Sequence, residues 1–110
     1  MYLKDYGPYV KTDSNGNKFY YLHGQCHRED GPAAEYANGD KYYYLHDQLH
    51  RVDGPAIKHA NGYKCYYLHG QRHRIDGPAV EYPGGTKEYY LHGKWYSTKK
   101  LWAQAVKKLS

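Results

Sequence analysis

Residues 61–83 read N-G-Y-K-C-Y-Y-L-H-G-Q-R-H-R-I-D-G-P-A-V-E-Y-P, and the same pattern, with substitutions, begins at Asn15, at Asn38 and, cut short, at Gly84. The starts lie 23 residues apart. A fixed period of this length marks a repeat architecture, in which each copy is one supersecondary unit that buries its apolar face against its neighbours. The chain divides into a worn half-copy (residues 1–14), full copies (15–37, 38–60 and 61–83), a partial copy (84–96) and a tail (97–110), together forming one small domain. In the half-copy, Gly7-Pro8 followed by Tyr9-Val10-Lys11-Thr12 echoes Gly31-Pro32 followed by Ala33-Ala34-Glu35-Tyr36, which reads as an N-terminal edge strand. One extra residue between Gly7 and Asn15 suggests a bulge or a looser turn there.

Each full copy carries two turn signals. Asn-Gly (Asn15-Gly16, Asn38-Gly39, Asn61-Gly62) is a strong hairpin signal, because both residues tolerate φ > 0. It is expected to join a strand within 55–60 to the next within 64–69. His-Gly (His23-Gly24, His69-Gly70, His92-Gly93) is the second, replaced by His46-Asp47 in the middle copy, where Asp keeps the left-handed tolerance. An Asp-Gly-Pro corner then starts the next strand. The expected fold is all-β with a short C-terminal α-helix: an elongated antiparallel β-meander of stacked hairpin repeats.

Period-two alternation assigns the faces. Tyr20, Tyr43, Tyr66 and Tyr89 recur without exception, as do Leu22, Leu45, Leu68 and Leu91 two positions on. Pairing through a two-residue Asn-Gly turn puts Ala34, Ile57 and Val80 on that same, structural face. Tyr21, Tyr44, Tyr67 and Tyr90 lie on the other, beside the variable positions Phe19, Tyr42, Cys65 and Glu88. In the tail, Leu101, Trp102, Ala105, Val106 and Leu109 fall within about 140° at ~100° per residue, an amphipathic stripe. Ser97 is the expected N-cap, and the helix is read as a cap on the last copy, with a basic membrane-surface or partner-binding helix as the alternative.

Composition narrows the class. The 110 residues include 16 tyrosines and few aliphatics, and mean hydropathy is −1.06. A thick two-layer core is thereby disfavoured against a thin sheet wetted on at least one face. The formal charge of +5 leans toward acidic partners. Cys26 and Cys65 occupy different positions of different copies, separated by several strand spacings of ~4.8 Å, so free thiols and a reducing compartment are expected. Neither a signal peptide nor a transmembrane run is legible, and cytoplasm is the expected location.

Histidine pairs four apart (His23/His27, His46/His50, His69/His73) would suit zinc on a helix, but a turn intervenes and no cysteine or carboxylate completes a recurrent tetrahedral set. The expectation is no metal, with histidine stacked on tyrosine. H-R-x-D-G-P recurs as His27-Arg28-Asp30, His50-Arg51-Asp53 and His73-Arg74-Asp76. These residue types can build a phosphodiesterase site, yet active sites are asymmetric, whereas a triplet in every copy reads as joinery, with Arg paired to Asp in the corner. Neither catalytic residues nor a cofactor is expected, and no phosphate loop, nucleophile elbow or dinucleotide fingerprint occurs.

The run Tyr-Leu-His-Gly-Gln-x-His-Arg-x-Asp-Gly-Pro-Ala…Asn-Gly resembles tandem repeats of bacterial and phage proteins, reading roughly W-Y-x-N-G-K-x-H-R-x-D-G-P-A, which in turn are similar to MORN repeats. The resemblance covers residues 15–96. It implies a β-hairpin array serving as a scaffold or binding module, without catalytic residues, and MORN proteins differ widely in partner. Arg-x-Asp between His and Gly, and His for Asn at the turn, depart from plain MORN and weigh against a lipid role.

The expected function is protein binding in the cytoplasm, as a phage-encoded inhibitor or adaptor acting on a host protein. The expected contact face carries Phe19, Tyr21, Tyr42, Tyr44, Cys65, Tyr67, Glu88 and Tyr90, with Leu49, Arg72 and Trp95 beside them. The alternative is nucleic-acid or nucleotide binding through a Tyr/Arg/His-rich face. Homo-oligomerisation through the edge strands is a further expectation to be tested.

Overall fold

The computed structural model describes residues 7–109, so the first six residues of the half-copy lie outside it. The strands in chain order are β1 (Tyr9–Thr12), β2 (Lys18–Leu22), β3 (Gln25–Cys26), β4 (Ala34–Glu35), β5 (Lys41–Tyr42), β6 (Tyr44–Leu45), β7 (Gln48–Leu49), β8 (Ile57–Lys58), β9 (Lys64–Cys65), β10 (Tyr67–Leu68), β11 (Gln71–Arg72), β12 (Val80–Glu81), β13 (Lys87–Leu91) and β14 (Lys94–Tyr96), followed by one helix, α1 (Lys99–Lys107). All pairings are antiparallel. The main sheet runs β1-β2-β4-β5-β8-β9-β12-β13-β14, with β1 at its N-terminal edge. The open meander expected from the sequence is what forms, 55 × 30 × 18 Å in extent.

The tyrosine between β5 and β6 (Tyr43), and its counterpart Tyr66, interrupts each strand, and its hydrogen bonds explain the break. The Tyr43 N–H donates to Ala56 O at 2.7 Å while its carbonyl accepts from His50 N at 3.0 Å; Tyr66 does the same with Ala79 and His73. One half of the strand thus belongs to the main sheet and the other to a small hairpin (β6–β7, β10–β11). Copies are joined by Arg28 N–H to Tyr44 O, Arg51 N–H to Tyr67 O and Arg74 N–H to Tyr90 O, at 3.1–3.2 Å.

The two turn signals are built differently from one another, and this corrects the face assignment. His23-Gly24, His46-Asp47, His69-Gly70 and His92-Gly93 have positive φ at both residues, from 49° to 82°, the requirement of a two-residue type I′ turn. The Asn-Gly turns are longer. Gly62 N–H donates to His59 O at 3.1 Å and His59 N–H to Tyr63 O at 2.9 Å, leaving three residues in the loop; Gly62, at φ 100°, supplies the left-handed position. One extra loop residue slips the register by one, which moves a strand's side chains to the opposite face. Ala34 therefore pairs with Phe19 and Tyr42, Ile57 with Tyr42 and Cys65, and Val80 with Cys65 and Glu88. Ala34, Ile57 and Val80 lie on the face expected to be variable, not beside Tyr20, Tyr43 and Tyr66. The Asp13 turn has the same bonds as the others (Gly16 N–H to Asp13 O, Asp13 N–H to Asn17 O), so it is no looser than they are.

The apolar centre is correspondingly small. Ile57, Cys65 and Val80 form a buried cluster, with Tyr42, Leu49, Tyr63, Tyr67 and Tyr90 packed against it. At the C-terminal end α1 covers the last copy. Its N-cap is Thr98, whose Oγ1 accepts from Leu101 N at 3.1 Å, in place of the expected Ser97. Trp102 is the buried residue of the helix, while Leu101 and Leu109 of the expected stripe are about half exposed. The Trp102 ring lies 4.9 Å from that of Tyr89 and its Nε1 donates to Arg74 O at 3.0 Å. In the copies before it, arginine covers the equivalent tyrosine, so the helix supplies a substitute lid where the next arginine would fall.

Candidate functional site

The recurrent corner is occupied by its own contacts. Arg28, Arg51 and Arg74 place their guanidinium carbons 3.9–4.0 Å over the rings of Tyr20, Tyr43 and Tyr66. Each Nε donates to the aspartate two residues on, and each Nη1 to the carbonyl of Pro32, Pro55 or Pro78. Glu35 and Glu81 add a second carboxylate to Arg28 and Arg74; Lys58 stands at that position beside Arg51. The corner glycine makes room for this packing, since a Cβ at Gly31, Gly54 or Gly77 would meet the guanidinium carbon at 2.9 Å and push it from its seat.

The histidines form a ladder between copies rather than pairs within them. His27 Nδ1 accepts from His46 N, His50 Nδ1 from His69 N and His73 Nδ1 from His92 N, each at 2.9 Å. The rings of each pair are 4.2–4.4 Å apart. The ring partner, tilted by 36–49°, is thus the next copy's histidine and not the tyrosine expected. Burial, with the neighbouring imidazole second, pushes His50 and His73 below the usual histidine pKa. An Nδ1 that accepts a backbone N–H has no lone pair left for a metal, and no group of three or more His, Cys, Asp or Glu among the described residues is placed to hold one.

The opposite face gathers most of the residues singled out in the sequence. Six rings run across it in contact: Phe19–Tyr36 at 5.6 Å, Tyr36–Tyr42 at 5.5 Å, Tyr42–His59 at 5.7 Å, His59–Tyr63 at 5.0 Å and Tyr63–Tyr82 at 5.5 Å. Tyr42 Oη and His59 Nε2 are hydrogen bonded at 2.8 Å. Tyr44 stacks beside Tyr42 at 6.4 Å, and Tyr21 on Tyr9 at 5.1 Å. Leu49, Arg72 and Trp95 lie opposite Tyr44, Tyr67 and Tyr90 in register. Trp95 is 54% exposed. Glu88 accepts from Tyr82 Oη at 3.0 Å.

One expected contact residue is misplaced: Cys65 has no exposed surface and belongs to the core, because the register slip sets it between Ile57 and Val80. Burial raises its thiol pKa and, with Cys65 itself, pushes Tyr63 up to about 12. Both cysteines are free thiols, as expected. Tyr36, His59, Tyr63 and Tyr82 were missed as members of the surface. Tyr36, His59 and Tyr82 recur at the 23-residue period two positions before the Asn-Gly or Gly-Gly turn, which is the signal that finds them once the register is known.

Arg72 stands apart from the other arginines. Its Nε donates to Tyr67 Oη at 3.3 Å and its Nη1 to Tyr90 Oη at 3.0 Å, and the guanidinium lies 5.2 Å from the Tyr90 ring centre. Burial alone would lower its pKa, but the hydrogen bonds to the two phenol oxygens, with the Cys65 thiol beside them, outweigh burial and hold it above the usual arginine value. A row of lysines lies on the other face: Lys58 pairs with both Lys41 and Lys64, two adjacent like-charge contacts.

No family model, no curated protein and no solved structure matches the chain. No helix among the described residues is long and apolar enough to cross a membrane.

Proposed function

We propose that this chain is a non-catalytic protein-binding repeat module whose partner docks on the face carrying Phe19, Tyr36, Tyr42, Tyr44, Tyr67 and Tyr82. The observation that carries this reading is where the copies differ. They share the same backbone bonds, turns and Arg–Tyr corners, yet equivalent strand positions on the aromatic face read Phe19, Tyr42, Cys65, Glu88 and Cys26, Leu49, Arg72, Trp95. On the opposite face Tyr20, Tyr43, Tyr66 and Tyr89 and Lys18, Lys41, Lys64 and Lys87 do not vary, while Lys58 replaces Glu35 and Glu81. Half-buried tyrosines locked ring against ring give a rigid, amphipathic contact area at low entropic cost. The repeat resemblance supports the same reading, and with two free thiols it suits a reducing cytoplasm and a phage-encoded inhibitor or adaptor acting on a host protein.

Two arrangements weigh against the other classes. Among the described residues the corner arginines are taken up by aspartate, proline carbonyl and tyrosine ring, and Nδ1 of His27, His50 and His73 by a backbone N–H, which favours joinery over acid–base work. The nucleic-acid reading needs stacking rings and a track of phosphate-binding cations on one surface, whereas the row Lys41, Lys58 and Lys64 lies on the face opposite the aromatic row and leaves Arg72 beside the rings. Affinity capture from the native host with a Tyr21→Ala/Tyr44→Ala variant tests the assignment. Loss of the partner from a folded variant, alongside retention by Lys41→Gln/Lys58→Gln, is expected; the converse pattern would transfer the interaction to the lysine face.

A further inference from the structure

Resting on the reading of the aromatic face as the docking surface, the chemistry of that surface can be taken one step further. Arg72 borders a shallow groove of about 510 Å³ walled by Tyr42, Ile57, His59, Tyr63, Tyr67 and Tyr82. A guanidinium carries five N–H donors. At Arg72 one from Nε and one from Nη1 go to the phenols of Tyr67 and Tyr90, neither of which is a carboxylate. The other three arginines each hold an aspartate, and among the described residues no carboxylate pairs with Arg72. Carboxylates on the same side are engaged elsewhere: Glu88 by Tyr82, Asp40 by the N–H of Ala60 and Asp47 by the N–H of Cys26.

A half-buried cation held by two phenols and lying beside the Cys65 thiol, with no carboxylate partner among the described residues, is complementary to an anion. Two parallel N–H···O bonds to a carboxylate are the strongest contact such a fork makes. The number and setting of the charges select among anions. One guanidinium matches one negative charge, while a nucleic-acid backbone needs cations repeated along its track, and the lysine row is on the far face. The aromatic walls suit apolar carbon beside the charge. We propose that the groove around Arg72 receives a single Asp or Glu carboxylate, flanked by an apolar side chain, from the protein partner.

The test is an NMR titration with Ac-Leu-Glu-Phe-NH2 and its isostere Ac-Leu-Gln-Phe-NH2, following the Arg72 Nε–H and the backbone amides. The Glu peptide is expected to shift Arg72 Nε–H and the residues around it, and to bind about tenfold tighter than the Gln peptide. Arg72→Gln should abolish that preference in a protein whose spectrum is otherwise native, and Arg72→Lys, which keeps the charge without the fork, should retain only part of it. Equal binding of the two peptides, shifts centred on Lys58, or tighter occupation of the groove by the dinucleotide pTpT would each overturn the proposal. Absence of Glu-peptide binding while Tyr21→Ala/Tyr44→Ala still loses the host partner would remove the carboxylate alone and leave the docking face standing. A host partner retained by the tyrosine variant would remove the face itself.

Discussion

A single methyl group added at Gly54 should destabilise the protein, and the same methyl group should become harmless once Arg51 is gone. A Cβ at position 54 would lie 2.9 Å from the Arg51 guanidinium carbon and 3.0 Å from Nη1. Gly54 does not adopt a positive φ, so its backbone accepts alanine and the guanidinium, the far end of a flexible side chain, is what must shift off its seat. Lost with that shift are the position over Tyr43 at 4.0 Å and the bond to Pro55 O at 3.2 Å. A cation over a tyrosine ring is worth about 0.5–1 kcal/mol near the surface, and a hydrogen bond from a charged group about 1.5–3 kcal/mol. The Arg51–Asp53 pair adds little, because Asp53 is 86% exposed and such pairs contribute about 0–1 kcal/mol. Arg51→Ala should therefore cost about 2–4 kcal/mol. Gly54→Ala should cost no more than about 1.5–3.5 kcal/mol, since alanine recovers ~0.5 kcal/mol by restricting the unfolded chain.

In the Arg51→Ala background only that recovery remains, so Gly54→Ala should stabilise by about 0.5 kcal/mol. Urea unfolding of the wild type, both single variants and the double variant, followed by tryptophan fluorescence, measures the cycle. Additive losses in the double variant would show that the glycine is kept for some reason other than seating the arginine. Arg51 suits the cycle better than Arg28 or Arg74, because it has Lys58 where they have Glu35 and Glu81.

Acid should loosen the histidine ladder. His50 and His73 have folded pKa values below the ordinary value of about 6.5, so the folded state binds fewer protons than the unfolded chain. Their contribution is complete above pH ~6.5 and is lost as the pH falls toward the folded values; a urea midpoint that does not drop between pH 8 and pH 5 would contradict this, and His50→Asn/His73→Asn should flatten the profile. Thr98→Ala should cost about 1 kcal/mol and fray α1 in hydrogen exchange, whereas Ser97→Ala should leave the helix protected. Trp102→Phe keeps the ring on Tyr89 but strands Arg74 O, and should cost about 1 kcal/mol in the same urea assay.

Much of the fold was legible because its period is written in residues with fixed backbone meanings. Gly-Pro corners, His-Gly turns and the unvarying Tyr20 series place the strands, and Arg-x-Asp announces a corner pair that the structure contains. The faces were harder to read. Asn-Gly fits a two-residue turn and a three-residue loop equally well, and the choice inverts the side on which Ala34, Ile57 and Val80 lie. That ambiguity carried Cys65 onto the expected contact surface when it belongs to the core, and left Tyr36, His59 and Tyr82 out of the aromatic row. The histidine ladder was illegible for a different reason: its partners, such as His27 and His46, lie 19 residues apart in adjacent copies, while the nearer pair His23/His27 draws attention by its helical spacing. Thr98 rather than Ser97 caps the helix, a one-residue choice that two adjacent hydroxyl residues leave open.

The claim on which the functional account rests is that contact is made through the aromatic face. Site-specific photocrosslinking in the native host addresses it, with benzoylphenylalanine placed singly at Tyr36 and Tyr82 on that face and at Lys41 and Lys58 on the other. Discrete protein adducts from Tyr36 and Tyr82, with none from the lysine positions, are expected. Adducts confined to Lys41 and Lys58 would contradict it.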